Sequence, residues 1–305
     1  MSKIKITFLG TTAGVPTRSR AHTAIAVKYD HGKEYSILFD CGEGTQRQCQ
    51  KANINIMKFN HIFISHWHGD HCFGLLGLLD TMGFEHRTQD IHIYGPEAKK
   101  NIKKYLSGIY CLDKFKIYIH DISLKKDKIN KVFENNEFHI LSIPVNHSVA
   151  CVAYAFVEKN RHVIDLEKAI KIGLPKSGVI YKQIKDNGKI IFNEKNIFFK
   201  DIEKTKKGKK IVYSGDTQIC DNLKKIIKNS DCLIQDCTYF SNENKEKHYK
   251  HASFPDIVNM VEKQDIKHII LTHIGRKYQN ILDLKNIIKK YKNFDIAEDL
   301  KEFII

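Results

Sequence analysis

Residues 66–71 of this 305-residue chain read His-Trp-His-Gly-Asp-His, and no other stretch limits its fold as tightly. Three imidazoles and one carboxylate fall within six positions, directly after the apolar run HIFIS at 61–65 and directly before FGLLGLLDTMGF at 73–84. Side chains alternate across a strand and rotate around a helix, so no regular element turns all four the same way. A loop at the carboxyl end of a strand can gather them, with a buried helix leading away. Imidazole nitrogen and carboxylate oxygen together suit a borderline cation: zinc first, with manganese or iron as alternatives. Four donors in one loop exceed what a single tetrahedral ion needs once water and outside ligands join, so two ions are expected. A lone HxH pair arises by chance on many surfaces, whereas HxHxDH framed by a strand and a helix does not.

The missing ligands should stand at other strand ends. Three candidates do: His147 in PVNH after the run 138–143, Asp216 in SGDT after 211–213, and His273 in LTH after 268–271. Each alone reads equally well as a turn-capping Asp or a satisfied histidine, and only in company with the loop do they read as a ligand set. Around them, strands are expected at 3–9, 24–29, 35–39, 61–65 and 91–94, then a Lys-rich amphipathic helix after the Gly95-Pro96 break. A second series runs through strands near 116–121, 138–143, 150–157, 211–214, 232–235 and 268–272, with helices near 219–229, 254–263 and 283–291. Two sheet-plus-helix layers facing each other would accommodate this alternation. Residues 158–209 break the rhythm: they are rich in Lys, Gly and Asn, contain Gly173-Leu174-Pro175 and run into KTKKGKK at 204–210, and they read as an insertion or arm outside the core.

Charge then narrows the partners. Fifty Lys and Arg against 35 Asp and Glu leave a formal +15, compatible with a polyanion whose phosphates would be neutralised without sequence readout. Lysine supplies 44 of the basic residues and arginine only six, so much of the excess is also what solvated lysine-rich faces would give. The eight cysteines, at 41, 49, 72, 111, 151, 220, 232 and 237, show no CxxC pairing and suit reduced, buried thiols in a cytoplasmic protein. No apolar run approaches a spanning helix and MSKIKITFLGTT lacks a cleavable apolar segment, so neither membrane insertion nor secretion is expected.

HxHxDH followed by a distant His, a Gly-Asp-Thr and a Thr-His resembles the metallo-β-lactamase superfamily, and further motifs resemble one branch of it, the ribonuclease Z family of tRNA 3′-processing endonucleases. These are Phe8-Leu9-Gly10-Thr11 with Ala13-Gly14-Val15-Pro16, then Phe39-Asp40-Cys41-Gly42-Glu43-Gly44-Thr45-Gln46, Ser214-Gly215-Asp216-Thr217, His251-Ala252-Ser253, and Leu271-Thr272-His273-Ile274 through Arg276 and Tyr278. The similarity spans essentially the whole chain. It implies an α/β fold, a four-layer αβ/βα sandwich over residues 1–305 with the metals at one edge between two sheets, and 158–209 as a tRNA-binding exosite arm. It also implies two zinc ions per subunit, one on His66, His68 and His147, a second on Asp70, His71 and His273, with Asp216 shared. Asp70 would orient or deprotonate the attacking water, and His251, positioned by Asp236, would protonate the leaving ribose oxygen. Precursor tRNA is the implied substrate and a homodimer the implied assembly.

Two features depart from the family pattern. Asp236 stands where Glu is more frequent, one methylene shorter, with Ala252-Ser253 in place of Ser-Thr beside it, so its reach to His251 is in question. The bacterial-type arm carries Pro-Pro-Gly-Pro before a Tyr, while this chain reads LPKSGVIY, keeping Pro175 and Tyr181, followed by Lys182 and Lys185. Because arginine is scarce, its placement is informative: Arg18 and Arg20 follow the first-strand loop, Arg47 the DCGEGTQ signature and Arg276 the ligand His273. A planar two-pronged donor suits phosphate, and Arg18, Arg20 and Arg276 are the expected contacts to RNA near the cut, with Tyr181 and Lys185 on the arm. The competing enzymatic reading is a di-metal hydrolase of small phosphodiesters or other esters. A non-enzymatic RNA-binding protein with a decayed site is the third, and the complete ligand set argues against it.

Overall fold

The computed structural model describes residues 2–106, 114–125, 127–241 and 250–305; Cys111 lies outside them. The chain divides into two compact units, the first formed by 1–135, 139–157 and 210–305, the second by 136–138 and 158–209.

Chain order begins with β1 (Lys3–Gly10), β2 (Ala24–Asp30) and β3 (Glu34–Phe39), then α1 (Thr45–Lys51), β4 (Phe59–Phe63), α2 (Gly69–Cys72), α3 (Gly74–Phe84), β5 (Ile91–Pro96), α4 (Ala98–Leu106) and β6 (Ile117–Ile122). It continues with β7 (Asn130–Glu134), β8 (Phe138–Val145), β9 (Cys151–Glu158), β10 (Arg161–Ile164), α5 (Leu166–Lys171), α6 (Ile180–Asn187), β11 (Lys189–Phe192), β12 (Lys195–Phe198) and β13 (Glu203–Lys206). The last elements are β14 (Lys210–Tyr213), α7 (Asp221–Ile227), β15 (Cys232–Asp236), α8 (Phe254–Val261), β16 (His268–Thr272), α9 (Ile281–Ile288), β17 (Phe294–Ile296) and β18 (Glu302–Ile304).

The first unit holds two seven-stranded sheets, ordered β18-β1-β2-β3-β4-β5-β6 and β17-β16-β15-β14-β9-β8-β7. Alternation along the strands assigns each sheet two buried faces. On one side Leu9, Leu38, Ile62 and Ile64 meet Leu75, Leu78 and Leu79 of α3. In the other sheet Val212, Leu233, Ile269 and Leu271 meet Leu223 of α7, Ile257 of α8 and Leu284 of α9. The opposite faces meet each other through rings: Tyr29 with Phe156 at 5.5 Å, Phe39 with Tyr154 at 5.7 Å and Phe63 with Tyr154 at 5.5 Å between centroids. Layers of helix, sheet, sheet and helix result, the four-layer αβ/βα sandwich of the metallo-β-lactamase fold. Helix starts follow local chemistry: Ser253 accepts from the Asp256 N–H, and Asn280 accepts from the Leu282 N–H at 3.0 Å.

Parallel pairing of β3 with β4, β4 with β5, β14 with β15 and β15 with β16 brings the carboxyl ends of these strands to one edge. The loops after β4, β14, β15 and β16 therefore open side by side.

The second unit has its own small core. Ala169, Leu174, Ile184, Ile197 and Ile202 are buried together around α5 and α6, with Tyr181 against them. Two antiparallel pairs, β10 with β13 and β11 with β12, complete it.

Candidate metal centre

Asp40 anchors the ligand loop. It follows β3 with a left-handed φ of 55°, is fully buried, and accepts four hydrogen bonds: from Ser65 N (2.6 Å), Ser65 Oγ (2.8 Å), Tyr213 OH (2.6 Å) and His71 Nδ1 (2.7 Å). The Tyr213 bond crosses from the other sheet, so both halves of the sandwich fix one carboxylate. With its Nδ1 proton committed to Asp40, His71 turns Nε2 inward.

The other imidazoles are oriented in the same manner. His66 Nδ1 lies 3.0 Å from Ser65 Oγ, His273 Nδ1 3.0 Å from Thr238 Oγ1 and His147 Nδ1 3.3 Å from the Lys250 carbonyl. His273 itself has a φ of 54°, unusual outside glycine, and its carbonyl oxygen lies 3.2 Å from Thr238 Oγ1. Gly215, before Asp216, has a φ of +58°, and a Cβ there would lie 2.9 Å from the Val152 carbonyl oxygen, so glycine lets the SGDT turn sit against β9.

Two donor triads face inward. His66 Nε2, His68 Nδ1 and His147 Nε2 converge, with His66 to His68 at 3.0 Å and His147 to His68 at 3.2 Å. Asp70 Oδ2 lies 3.5 Å from His71 Nε2 and 3.4 Å from His273 Nε2. Between them stands Asp216, whose Oδ2 is 3.6 Å from His66, 4.0 Å from His147, 3.2 Å from His71 and 3.2 Å from His273. In each triad, and in the set His66, His71 and Asp216 that links them, the ligand atoms lie close enough to share an ion.

Electrostatics agree with that donor set. Burial drives His66 well below its ordinary range and His147 down to about 4, so both keep free electron pairs at neutral pH. Burial also opposes charge on His71 and His273, yet the carboxylates around them together outweigh it, Asp216 with Asp40 at His71 and Asp216 with Asp236 and Asp70 at His273, and hold both up, His273 to about 10. The space around Asp216 thus favours positive charge. His71 Nε2 and Asp216 Oδ1 are buried without a hydrogen-bond partner, a cost of roughly 1–3 kcal/mol per group that a cation would remove. The residues fit divalent metal.

His251 lies next to this cluster, its ring 5.0 Å from those of both His147 and His273. Its Nδ1 is 2.8 Å from Asp236 Oδ2, so the shorter carboxylate does span the gap. Asp236 also accepts from Thr217 N (3.1 Å), Thr238 N (3.1 Å) and Thr238 Oγ1 (2.8 Å). A cleft of about 450 Å³ opens beside His251, lined also by Gln218, Lys224, Asp256 and Asn259.

The arginines divide. Arg18 and Arg276 are exposed, but Arg20 is only 7% exposed and donates from Nη2 to the Tyr278 carbonyl at 2.5 Å. The expectation that Arg20 reaches phosphate is corrected: its guanidinium is buried against the loop after His273 and not presented at the surface. Tyr181 and Lys185 lie in the second unit, where the Tyr181 hydroxyl donates to the Pro175 carbonyl at 2.5 Å and Lys185 is exposed.

Sequence reasoning did not assign roles to Asp40, Ser65, Thr238 or the Lys250 carbonyl. Asp40 carried a signal, a charged residue ending an apolar strand, but its partners come from 25 to 173 positions away.

Residues 4–186 match the family described as Anti-Pycsar protein Apyc1, and residues 149–274 match the beta-lactamase superfamily domain. The ribonuclease Z of Methanococcus aeolicus is 38% identical over 318 residues, covering 98% of this chain and 97% of that protein. That of Methanocaldococcus jannaschii is 36% identical, covering 99% and 97%. The crystal structure of the short form of human tRNase Z superposes with a TM-score of 0.67 at 22% identity, covering 98% of each chain.

Proposed function

This chain belongs to the ribonuclease Z family, and from that premise we propose that it is a zinc-dependent endoribonuclease that removes 3′ trailers from tRNA precursors, leaving a 3′-hydroxyl on the tRNA and a 5′-phosphate on the trailer. The observation that carries the reading is an imidazole–carboxylate pair, a half-buried His251 on a buried Asp236, set against two donor triads that share Asp216.

His66, His68 and His147 would hold one zinc ion, Asp70, His71 and His273 a second, and Asp216 would serve both; manganese or iron are alternative occupants. Bound there, such a pair lowers the pKa of a water and offsets the negative charge that builds on the phosphodiester as it is cut. The remaining work belongs to side chains. Asp70, its Oδ2 accepting from the Gly14 N–H at 2.9 Å, orients the attacking water and can take its proton. His251 gives a proton to the leaving ribose 3′-oxygen from Nε2, because Asp236 accepts from Nδ1 and fixes that tautomer. Burial works against charge on His251, but Asp236 and Asp216 raise its pKa above the ordinary value, which suits an acid at neutral pH.

We assign the tRNA elbow to the second unit, with Tyr181 and Lys185 among its contacts. Residues 158–209 carry fourteen Lys and Arg against seven Asp and Glu, a net +7 out of the chain's +15. Arg18 and Arg276 are proposed to meet phosphates near the cut. The working form is taken as a cytoplasmic homodimer in which one protomer's arm holds the RNA that its partner cuts. Among the described residues no helix is long and apolar enough to cross a membrane.

Purified protein incubated with a precursor tRNA bearing a 3′ trailer, with and without chelator, tests the reading. Cleavage that chelator and Asp216→Ala both abolish supports it. Hydrolysis of bis(p-nitrophenyl) phosphate with no cleavage of the precursor would favour the small-diester hydrolase instead.

A further inference from the structure

A second cleft, of about 460 Å³, lies between α1 and the start of α3 and shares no lining residue with the cleft at His251. Its volume is that of a small-ligand pocket, roughly 300–1,000 Å³. Its walls are tied to the ligand loop: Cys41 N donates to the His71 carbonyl at 2.8 Å, and Gly74 N donates to the Cys41 carbonyl at 2.9 Å. A Cβ on Gly42 would lie 2.3 Å from the Asp70 carbonyl oxygen, so the two segments touch through backbone. The cleft is therefore built on the same backbone that carries Asp70 and His71.

Phe73 forms one wall, two residues after His71, and is 58% exposed. Burial would ordinarily claim a phenylalanine next to so many apolar side chains. The ring is nonetheless held in place, lying over Gly69, where a Cβ would come within 2.5 Å of it, and edge-on to Tyr105 at 6.1 Å. Opposite it α1 contributes Gln46, Arg47 and Gln50. Arg47 and Gln50 are exposed, as is the lining carboxylate Glu43, and a Cβ on Gly44 would meet nothing within 4 Å. A held aromatic ring with free surface, amides that both donate and accept, and an exposed guanidinium answer three parts of a nucleotide: the face of the base, its edge and a phosphate.

The chemistry of the cut decides which nucleotide. His251 protonates the oxygen that becomes the tRNA 3′-hydroxyl, so the last tRNA nucleotide occupies the His251 side. The trailer leaves from the opposite side of the scissile phosphate. We propose that the cleft between Phe73 and Arg47 is the subsite for the first trailer nucleotide, its base stacked on Phe73 and its 3′ phosphate met by Arg47. This subsite rests on the reading of the centre as one that cuts RNA.

Three precursor tRNAs with the same body test it: one intact, one abasic at the first trailer position, and one abasic at the last tRNA position. The unsubstituted protein should favour the intact precursor over the trailer-abasic one by about tenfold in kcat/KM. Phe73→Ala should bring that ratio close to one, while Phe73→Tyr keeps it. A ratio that survives Phe73→Ala overturns the subsite, as does a Phe73→Ala effect that follows the last tRNA base instead. Failure to cut any precursor, with bis(p-nitrophenyl) phosphate still hydrolysed, refutes the RNA reading itself and is distinguishable from both.

Discussion

Replacing Asp40 by Asn tests whether the ligand geometry is set from outside the ligands. The substitution keeps shape and removes charge. Oδ2 of Asp40 accepts from three donors, Ser65 Oγ, Tyr213 OH and His71 Nδ1, and Oδ1 accepts from Ser65 N. An amide has one acceptor atom, so in its better orientation its NH2 points at the Ser65 N–H, and in the worse one at three donors. At least one buried donor is left unpaired, about 1–3 kcal/mol, and the bonds that remain lose their charge assistance, together worth about another 1 kcal/mol. We expect a loss of about 2–4 kcal/mol in urea unfolding of the chelator-treated protein. His71 should also lose basicity and orientation, so zinc affinity, measured by competition with a chromophoric chelator, should fall about 10–100-fold. Wild-type zinc affinity in Asp40→Asn, with stability lowered as expected, would refute the claim that Asp40 positions His71 for metal.

Three further outcomes follow from the same geometry. Asp236→Asn should lower kcat for precursor cleavage by about 10–100-fold, and because His251 acts in its protonated form, loss of the carboxylate should move the alkaline limb of the pH–rate profile to lower pH. His61, tilted against Phe133 at 4.2 Å and stacked on His92 at 5.2 Å, is pushed by burial from an ordinary 6.5 down to about 4, so the unfolded chain takes up a proton there that the folded chain refuses. Stability should therefore fall as pH drops from about 6.5 to 4, and His61→Phe should remove about 2 kcal/mol of that loss after allowance for partial exposure, read as denaturation midpoints at pH 7 and pH 4.5. Arg20→Lys should appear chiefly as lost stability, since its guanidinium is buried on the Tyr278 carbonyl, whereas Arg18→Lys should appear as weaker binding of precursor tRNA in a filter assay.

The cluster of histidines and aspartates was legible because rare donor residue types stand at strand ends, where apolar runs of period two stop abruptly. His147, Asp216 and His273 each follow such a run, and parallel pairing brings those ends to one edge. What supports the ligands was not legible in the same way. Tyr213 reaches Asp40 from the other sheet, and Thr238 reaches His273 across 35 positions, contacts that no local period encodes. Short strands were missed for a related reason: β17 and β18 are three residues each, too brief to show alternation, and they exist because β16 and β1 offer them edges. The small core of residues 158–209 escaped notice because Ala169, Leu174, Ile184, Ile197 and Ile202 come from helices, loops and a strand and share no single spacing. Arginine scarcity pointed to purpose but not to which purpose. Arg87 is 2% exposed and donates to the Gln89, Met57 and Asp90 carbonyls and to Asn60 Oδ1, a structural lock as specific as any phosphate contact.

The most direct test of the central claim is a zinc titration of chelator-stripped protein, followed by single-turnover cleavage of a trailered precursor tRNA with both product ends mapped. Cleavage should rise to a plateau at two equivalents of zinc per chain and yield a tRNA 3′-hydroxyl with a trailer 5′-phosphate. A plateau at one equivalent, cleavage that does not depend on added metal, or a trailer ending in a 5′-hydroxyl would contradict the account.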